Sequence, residues 1–364
     1  MPGDRSADAC VVGLGGSGLA AVEALVERGL GVVGVDAGRV AAGAAGRNGG
    51  FLVAGPADSL HEALALWGPS AVDLYRETLA EIAYLRSVLG DDVVRPVGSI
   101  RLAGVPGEPR DEAEAADRAD ELVDCARQAA ALREHGIAVE EYDGELGRGL
   151  FLPDDAAMNP AVRAVELAGR LGGRADLHEH TAVRTIEAGR VVTEHGTITA
   201  PVVVVAVDGR LDALLPQLVG RVRSARLQMV ATAPVPARLP CPVYGRWGYD
   251  YGQQVPDGRL YVGGGRDLHV DAEWTTDAEP SAPVQDYIDG VAARMAGRPV
   301  EVTHRWAASV GFTPDGRPLC TTVAEGVVAI GGYNGTGNLV GPVAARAAVA
   351  LAVDGTPAPP YLAP

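Results

Sequence analysis

Two glycine-rich loops carry the residues best suited to chemistry, and they lie near opposite ends of the chain. The first is GLGGSG, with Gly13, Gly15 and Gly18 at the spacing G-x-G-x-x-G and with Gly16 and Ser17 between them. At that spacing the first glycine allows a tight turn and the second lets backbone approach a pyrophosphate. The third lets a helix pack closely on a strand. Asp36 ends the next apolar run at a distance suited to a ribose 2′-hydroxyl, where a carboxylate also disfavours a 2′-phosphate. Ala37 and Arg39 follow it and join the expected cofactor contacts. The second loop is GGYNGTGNLVGP, residues 331–342, with Gly331, Gly332, Gly335 and Gly337. Glycine permits positive φ and close backbone approach. A helix start behind such a loop offers free N–H groups and partial positive charge to an electron-rich group. Asn334, Thr336, Asn338 and Leu339 would surround that group. Taken alone, the second loop also fits a plain turn between a strand and a helix.

The elements that position these loops are legible on either side. ACVV, the glycine turn, LAAVEALVERG and LGVVGVD read as strand, turn, helix and strand, a βαβ unit. Residues 59–90 read as two helices, 97–103 as a strand, 111–136 as a polar-faced helix, and 158–173 as a helix with Pro160 near its start. Residues 175–207 read as a strand, a two-stranded ribbon with turns at Gly189 and Gly196, and the buried parallel strand VVVVAV. Residues 217–305 look strand-like with proline-rich turns, and VVAI then returns to strand, loop and helix. The expected fold is α/β. A discontinuous Rossmann-like domain (1–90, 150–215 and 306–364) carries an inserted mixed or antiparallel β-sheet domain for substrate (91–149 and 216–305).

Composition narrows the function. The 364 residues allow roughly two domains. Hydrophobic content of 47% and charged content of 21% describe a globular protein. No apolar run reaches the roughly 18 residues of a membrane span. Net charge −16 argues against nucleic-acid and anionic-membrane partners. Cys10, Cys125, Cys241 and Cys320 lie far apart, without zinc spacing, and MPGDRSADAC has no signal-peptide pattern. A cytoplasmic protein with reduced thiols is the expectation. His61, His269 and His304 form neither a metal spacing nor a hydrolytic triad. The acid pairs Asp91–Asp92 and Asp154–Asp155 read as solvated turns. All 31 basic residues are arginine, so no lysine can act as Schiff base, proton shuttle or charge donor.

The whole chain resembles the D-amino-acid oxidase family of flavoproteins, which includes glycine oxidase, monomeric sarcosine oxidase and γ-glutamylputrescine oxidase. VVGLGGSG with Asp36 is similar to its ADP-binding start. AGRNGGF, with Ala45, Gly46, Arg47, Asn48, Gly49 and Gly50, resembles its flavin-contacting loop. MNPAVRAVELAGRL resembles its asparagine–proline helix, and TAVRTIEAGRVVTEHGTITAPVVVVAV the segment in which the Val183 backbone would meet the adenine. GFTPDGRPL and GGYNGTGNLVGPVAARA resemble its C-terminal pair. The resemblance implies FAD as cofactor, with the 331–341 loop at the pyrimidine edge of the flavin.

Departures from the family pattern shape the remaining expectations. The cysteine that holds flavin covalently in sarcosine oxidase would fall near Ala308, and Cys320 lies beyond that motif, so FAD is expected to be non-covalent. The lysine that activates oxygen there has no counterpart. A dehydrogenase passing electrons to another acceptor therefore stays open beside an oxidase using O2. The carboxylate-binding arginine of glycine oxidase would fall on Val310, so the anion site must have moved. Arg246 and Arg305 are the expected anchors, being able to form bidentate contacts, and Tyr249, Tyr251 and Tyr333 are expected to line the pocket. The implied reaction oxidises the C–N bond of glycine or an N-substituted glycine to an imine, which water hydrolyses to glyoxylate and amine. A polyamine or γ-glutamyl-amine oxidase, and a flavin-binding subunit of a larger complex, are the alternatives. Oligomeric state is open.

Overall fold

The computed structural model describes Met1 and residues 3–364. Ala9–Val12 forms strand β1, helix α1 spans Gly16–Glu27, and Val32–Val35 forms β2 in parallel with β1. Val202–Val205 forms β3, parallel to β1 on one side and to Val327–Gly331 on the other. Asp176–His178 extends the sheet beyond β2, and Leu319–Ala324 closes the far edge antiparallel. The centre of such a sheet is covered on both faces, which is why ACVV and VVVV are unbroken apolar runs. The two glycine-rich loops leave the carboxyl ends of β1 and of Val327–Gly331, separated by β3 alone, so roughly 10 Å divides them at the usual strand spacing. The helix Gly337–Val349 lies along α1, and Gly341 permits this, because a Cβ there would stand 3.2 Å from the Ser17 Cβ.

The ribbon differs from expectation. Val183–Glu187, Arg190–Thr193 and Gly196–Thr199 form three antiparallel strands, and Arg5–Ser6 adds a fourth in parallel.

The second large sheet has eight strands. Arg223–Thr232 is β4, Asp250–Gln254 β5, Leu260–Gly263 β6 and Val302–Phe312 β7. They lie in the order β7-β4-β6-β5, followed by Val243–Gly245, Ser99–Leu102, Gly147–Leu152 and Glu140–Gly144. Helix α2, Ala282–Ala296, packs on one face. This helix departs from the strand-like pattern expected over 217–305, and Pro280 and Pro283 stand at its start. Pro283 in fact occupies the first turn, which tolerates a missing N–H, and Gly297 ends the helix at φ 67°. Val284, Ile288, Val291 and Met295 recur at helical spacing and are buried against Val230, Val243, Leu260 and Val262. Each such side chain contributes roughly 1.5–3 kcal/mol on burial. A small sheet of Phe51–Leu52, Ala156–Met158 and Val94–Arg95 lies between the two large ones in sequence and carries the end of the GRNGGF loop. No helix among the described residues is long and apolar enough to cross a membrane.

Candidate active site

The first glycine loop is shaped by contacts that only glycine satisfies. Gly13 has φ 96°, and a Cβ there would stand 2.5 Å from the Ala206 carbonyl oxygen just beyond β3. Gly18 lies so close to the Gly13 carbonyl that no Cβ fits. Gly15 faces Ala45 of the second flavin segment. Asp36 accepts the amides of Leu14 and Gly38, both at 2.8 Å, so it braces the turn from inside. Ala37 and Arg39 stand exposed beyond it, and Val183 sits in the ribbon opposite Thr193. Arg163 was not anticipated. It is 2% exposed, and its Nη1 would stand 2.8 Å from a Cβ on Gly16. Its Nε and Nη2 are buried without hydrogen-bond partners among the described residues.

The second loop meets the GRNGGF segment directly. Asn48 and Asn338 exchange hydrogen bonds through their side-chain amides, at 3.1 and 2.9 Å, across 290 positions of chain. Asn338 also donates to the Phe51 carbonyl, and Asn48 to those of Ala44 and Ala45. Asn334 takes φ 53°, donates to Gly316 and Gly332, and accepts from the Thr313 amide. Thr336 donates to the Tyr333 carbonyl. These three side chains, expected to reach a flavin, are instead used to shape the loop. The free donors are backbone. Among the described residues, the amides of Gly335, Gly337 and Asn338 have no acceptor, as the start of a helix requires. Asp208, also unanticipated, is half-buried and accepts the amides of Gly311, Gly332 and Tyr333. Burial pushes its carboxyl up, and those amides pull it back.

The face of the eight-stranded sheet opposite α2 covers these segments. Gln253 on β5 donates to the Gly49 and Met158 carbonyls, and Gly50 turns between them at φ 73°. Met229 on β4 packs on Gly49. Trp306 on β7 donates to the Arg47 carbonyl, and Arg47 reaches back to Ala307. Tyr251 packs edge-on against Phe51 with centroids 5.8 Å apart. Burial, reinforced by Asp250, pushes the Tyr251 phenol up to about 12, and Arg266 pulls it down.

The expected carboxylate anchors are otherwise engaged. Arg246 is held by Asp250 at 2.6 Å and by both oxygens of Asp267 at 2.8 Å. Arg305 alternates onto the α2 face, where Asp289 grips it at 2.8 Å and Gln285 at 3.0 Å, away from Trp306 and the loops. Tyr333 is buried against Gly337 and Gly341, inside the loop rather than on a pocket wall. Tyr249 is 38% exposed at the tip before β5. Asp155 is no solvated turn: it is 2% exposed, bonded to Ser99 at 2.6 Å and the Ala54 amide at 2.9 Å, and burial pushes its carboxyl up to about 7.

Residues 8–351 match the family model described as FAD dependent oxidoreductase. The chain belongs to that family. A curated relative, the probable oxidoreductase OrdL of Rhizobium meliloti (strain 1021), is 30% identical over 366 residues, spanning 93% of this chain and 81% of its own. Among solved structures, glycine oxidase from Geobacillus kaustophilus superposes with a TM-score of 0.76 at 22% identity, covering 97% of this chain and 95% of that one. L-proline dehydrogenase from P. horikoshii gives 0.76 at 16% identity, with 99% and 98% covered. L-amino acid deaminase from Proteus vulgaris gives 0.74 at 17% identity, with 100% and 97% covered. The fold of this FAD-dependent oxidoreductase is therefore the glycine oxidase type.

The residues fit the cofactor. The Gly13–Gly18 turn, with the Arg163 guanidinium behind it, suits a pyrophosphate. The unpaired amides at the start of Gly337–Val349 suit the carbonyl edge of a flavin. Cys320 is buried in the first sheet, where burial pushes its thiol up to about 12, so it is not a thiolate at neutral pH.

Proposed function

We propose that this oxidoreductase acts on the C–N bond of a small amino acid, glycine or an N-substituted glycine. The product is an imine, which water hydrolyses to glyoxylate and an amine. The observation that carries the reading is the Asn48–Asn338 junction beneath the β4–β7 face, which gathers three separated segments under one sheet. The relatives named for glycine, proline and other amino acids support the substrate class.

FAD, held non-covalently between the two glycine loops, would supply the hydride acceptor and a two-electron route to O2, which would leave as H2O2. The protein's own part is binding and placement. Gly335, Gly337 and Asn338 amides stabilise negative charge gained at the carbonyl edge, without reorganising during the reaction. Asp208 fixes the loop that carries them. Tyr251, Trp306 and Met229 wall the substrate side and exclude water. No side-chain base is assigned, because an uncharged amine held against a hydride acceptor needs positioning more than proton abstraction. The absence of lysine favours a second reading of the acceptor alone: a carrier other than O2 takes the electrons.

The purified protein is expected to be yellow and to lose its flavin to the supernatant on acid precipitation. Anaerobic mixing with a panel of glycines, N-alkylglycines, putrescine and γ-glutamylputrescine tests the substrate. Bleaching by the glycines, with glyoxylate trapped as its hydrazone, supports the reading; bleaching by the diamines alone overturns it. Peroxide released in air separates the two acceptors.

A further inference from the structure

We propose that Arg266 and Arg223 form the substrate's carboxylate site, so that the enzyme takes amino acids and rejects the corresponding plain amines. This rests on the amine-oxidation reading above and assigns the recognition that Arg246 and Arg305 cannot provide.

The two arginines stand apart from the others around the sheet. Arg101, Arg148, Arg226 and Arg305, in strands of the same sheet, each hold a carboxylate, as does Arg246. Among the described residues, neither Arg266 nor Arg223 has an ion-pair or side-chain hydrogen-bond partner, in a chain with 47 acids and 31 arginines. Aromatic rings surround them instead. The Arg266 guanidinium carbon lies 4.7 Å from the Phe312 centroid, 5.1 Å from Trp274 and 5.9 Å from Tyr249. The Arg223 guanidinium carbon lies over the same Trp274 ring, 4.1 Å from its centroid. Stacking on aromatic faces orients a guanidinium while leaving its N–H edge free for a planar anion. One nitrogen of Arg266, Nη1, is buried with no acceptor, a state that costs free energy unless a ligand relieves it.

The location matches the site. Arg266 follows β6, whose last residue Gly263 lies opposite Met229 and Tyr251, the residues that meet Gly49 and Phe51. Gly264 and Gly265 turn the chain at φ 159° and 70°, and the Gly265 amide is fixed by Asp250. Arg223 pairs in register with Phe312, next to Gly311, whose carbonyl accepts the Asn334 amide. Arg266 therefore borders the Tyr251 wall, and Arg223, exposed at the start of β4, stands beside the segment that meets the second glycine loop. The acids in reach are spent: Asp250 and Asp267 on Arg246, and Glu273 on Arg226.

The test uses oxidised holoenzyme and needs no turnover. Acetate and its neutral isostere acetamide are titrated against the flavin absorbance. Wild type is expected to bind acetate well ahead of acetamide. Arg266→Gln should weaken acetate roughly 30-fold, the loss of a charge-assisted pair, with acetamide unchanged. Arg223→Gln should weaken it roughly 5-fold, and Arg266→Lys should fall between Gln and wild type, because a point charge lacks the fork. With substrates, Arg266→Gln should raise KM for an amino acid and leave that for its decarboxylated amine. Wild type that shows no preference for acetate overturns the proposal even if no variant folds. So does Arg266→Gln with normal flavin content and unchanged acetate binding. Acetate binding through Arg266 in a protein whose flavin no amine or amino acid bleaches would keep the anion site and sink the amine-oxidation reading instead.

Discussion

Two regions of the eight-stranded sheet treat arginine in opposite ways: the α2 face, and the end of the other face nearest the flavin loops. On the α2 face Arg226 is clasped by Glu273 and Arg305 by Asp289. At the edge that borders the flavin loops, Arg223 and Arg266 have aromatic rings and no acid. The same residue type thus serves two ends. A guanidinium whose charge is already matched holds protein together. One whose charge is left open holds something that the chain does not contain. Breaking pairs on the first face should change stability and leave ligand preference alone.

The largest effect should come from Arg226→Met. Glu273 is 1% exposed and would be left as a buried charge without its partner. A loss of about 3–5 kcal/mol is expected in urea unfolding. The acetate-over-acetamide preference of the surviving folded protein should match wild type. A shift in that preference would erase the distinction between the faces.

Asp208 extends the comparison to an acid that faces backbone rather than arginine. Asp208→Ala would leave three buried amides, of Gly311, Gly332 and Tyr333, without their acceptor. A cost of about 2–4 kcal/mol is expected, because water can reach some of them. Since two of these amides open the flavin loop, FAD affinity measured by apoprotein titration should also fall, by about tenfold.

Asp155 is the reverse case, a buried acid with no cation. Its folded pKa of about 7 lies above that of an unfolded aspartate. Between pH ~4 and that value the unfolded chain has released a proton that the folded protein keeps. Stability that Asp155 contributes below this window is therefore lost as pH rises through it. Asp155→Asn can still accept from Ala54 and donate to Ser99, and it does not titrate. The drop in melting temperature between pH 5 and pH 8 should be smaller in this variant than in wild type.

Much of the frame was readable in advance because it depends on local requirements. The G-x-G-x-x-G turn, its flanking strands and the late glycine loop are fixed by residues within a few positions of one another. What the sequence concealed depends on register and partners. Arg305 and Trp306 are neighbours in β7 but face opposite sides, and only the pairing with β4 decides which side is which. Arg246 lies four residues before Asp250, so one of its partners was in view; Asp267 was not. Arg266 had a modest local signal, three glycines between a strand and an arginine, which marks a backbone turn at a sheet end. Helix α2 had the right period but was masked by its prolines. Asp155 looked like a turn acid because burial by a distant strand leaves no mark nearby.

The smallest expected effect is the sharpest check on the corrected anchor. Arg305→Gln removes a charge that is 39% exposed and paired to an equally exposed Asp289. Exposed pairs contribute about 0–1 kcal/mol, so unfolding should barely move. Asp289 keeps access to water, so no buried charge is created, and buried Gln285 keeps its bond to Gln228. If Arg305 held substrate, the same change would remove a charge-assisted bond and raise KM for the amino acid by roughly tenfold or more. The geometry places it behind the sheet, and KM should therefore stay within about twofold of wild type, well inside one tenfold step of 1.4 kcal/mol. A large rise in KM with normal stability would mean that β7 presents its other face to the flavin. That outcome would undo the contrast between the two faces.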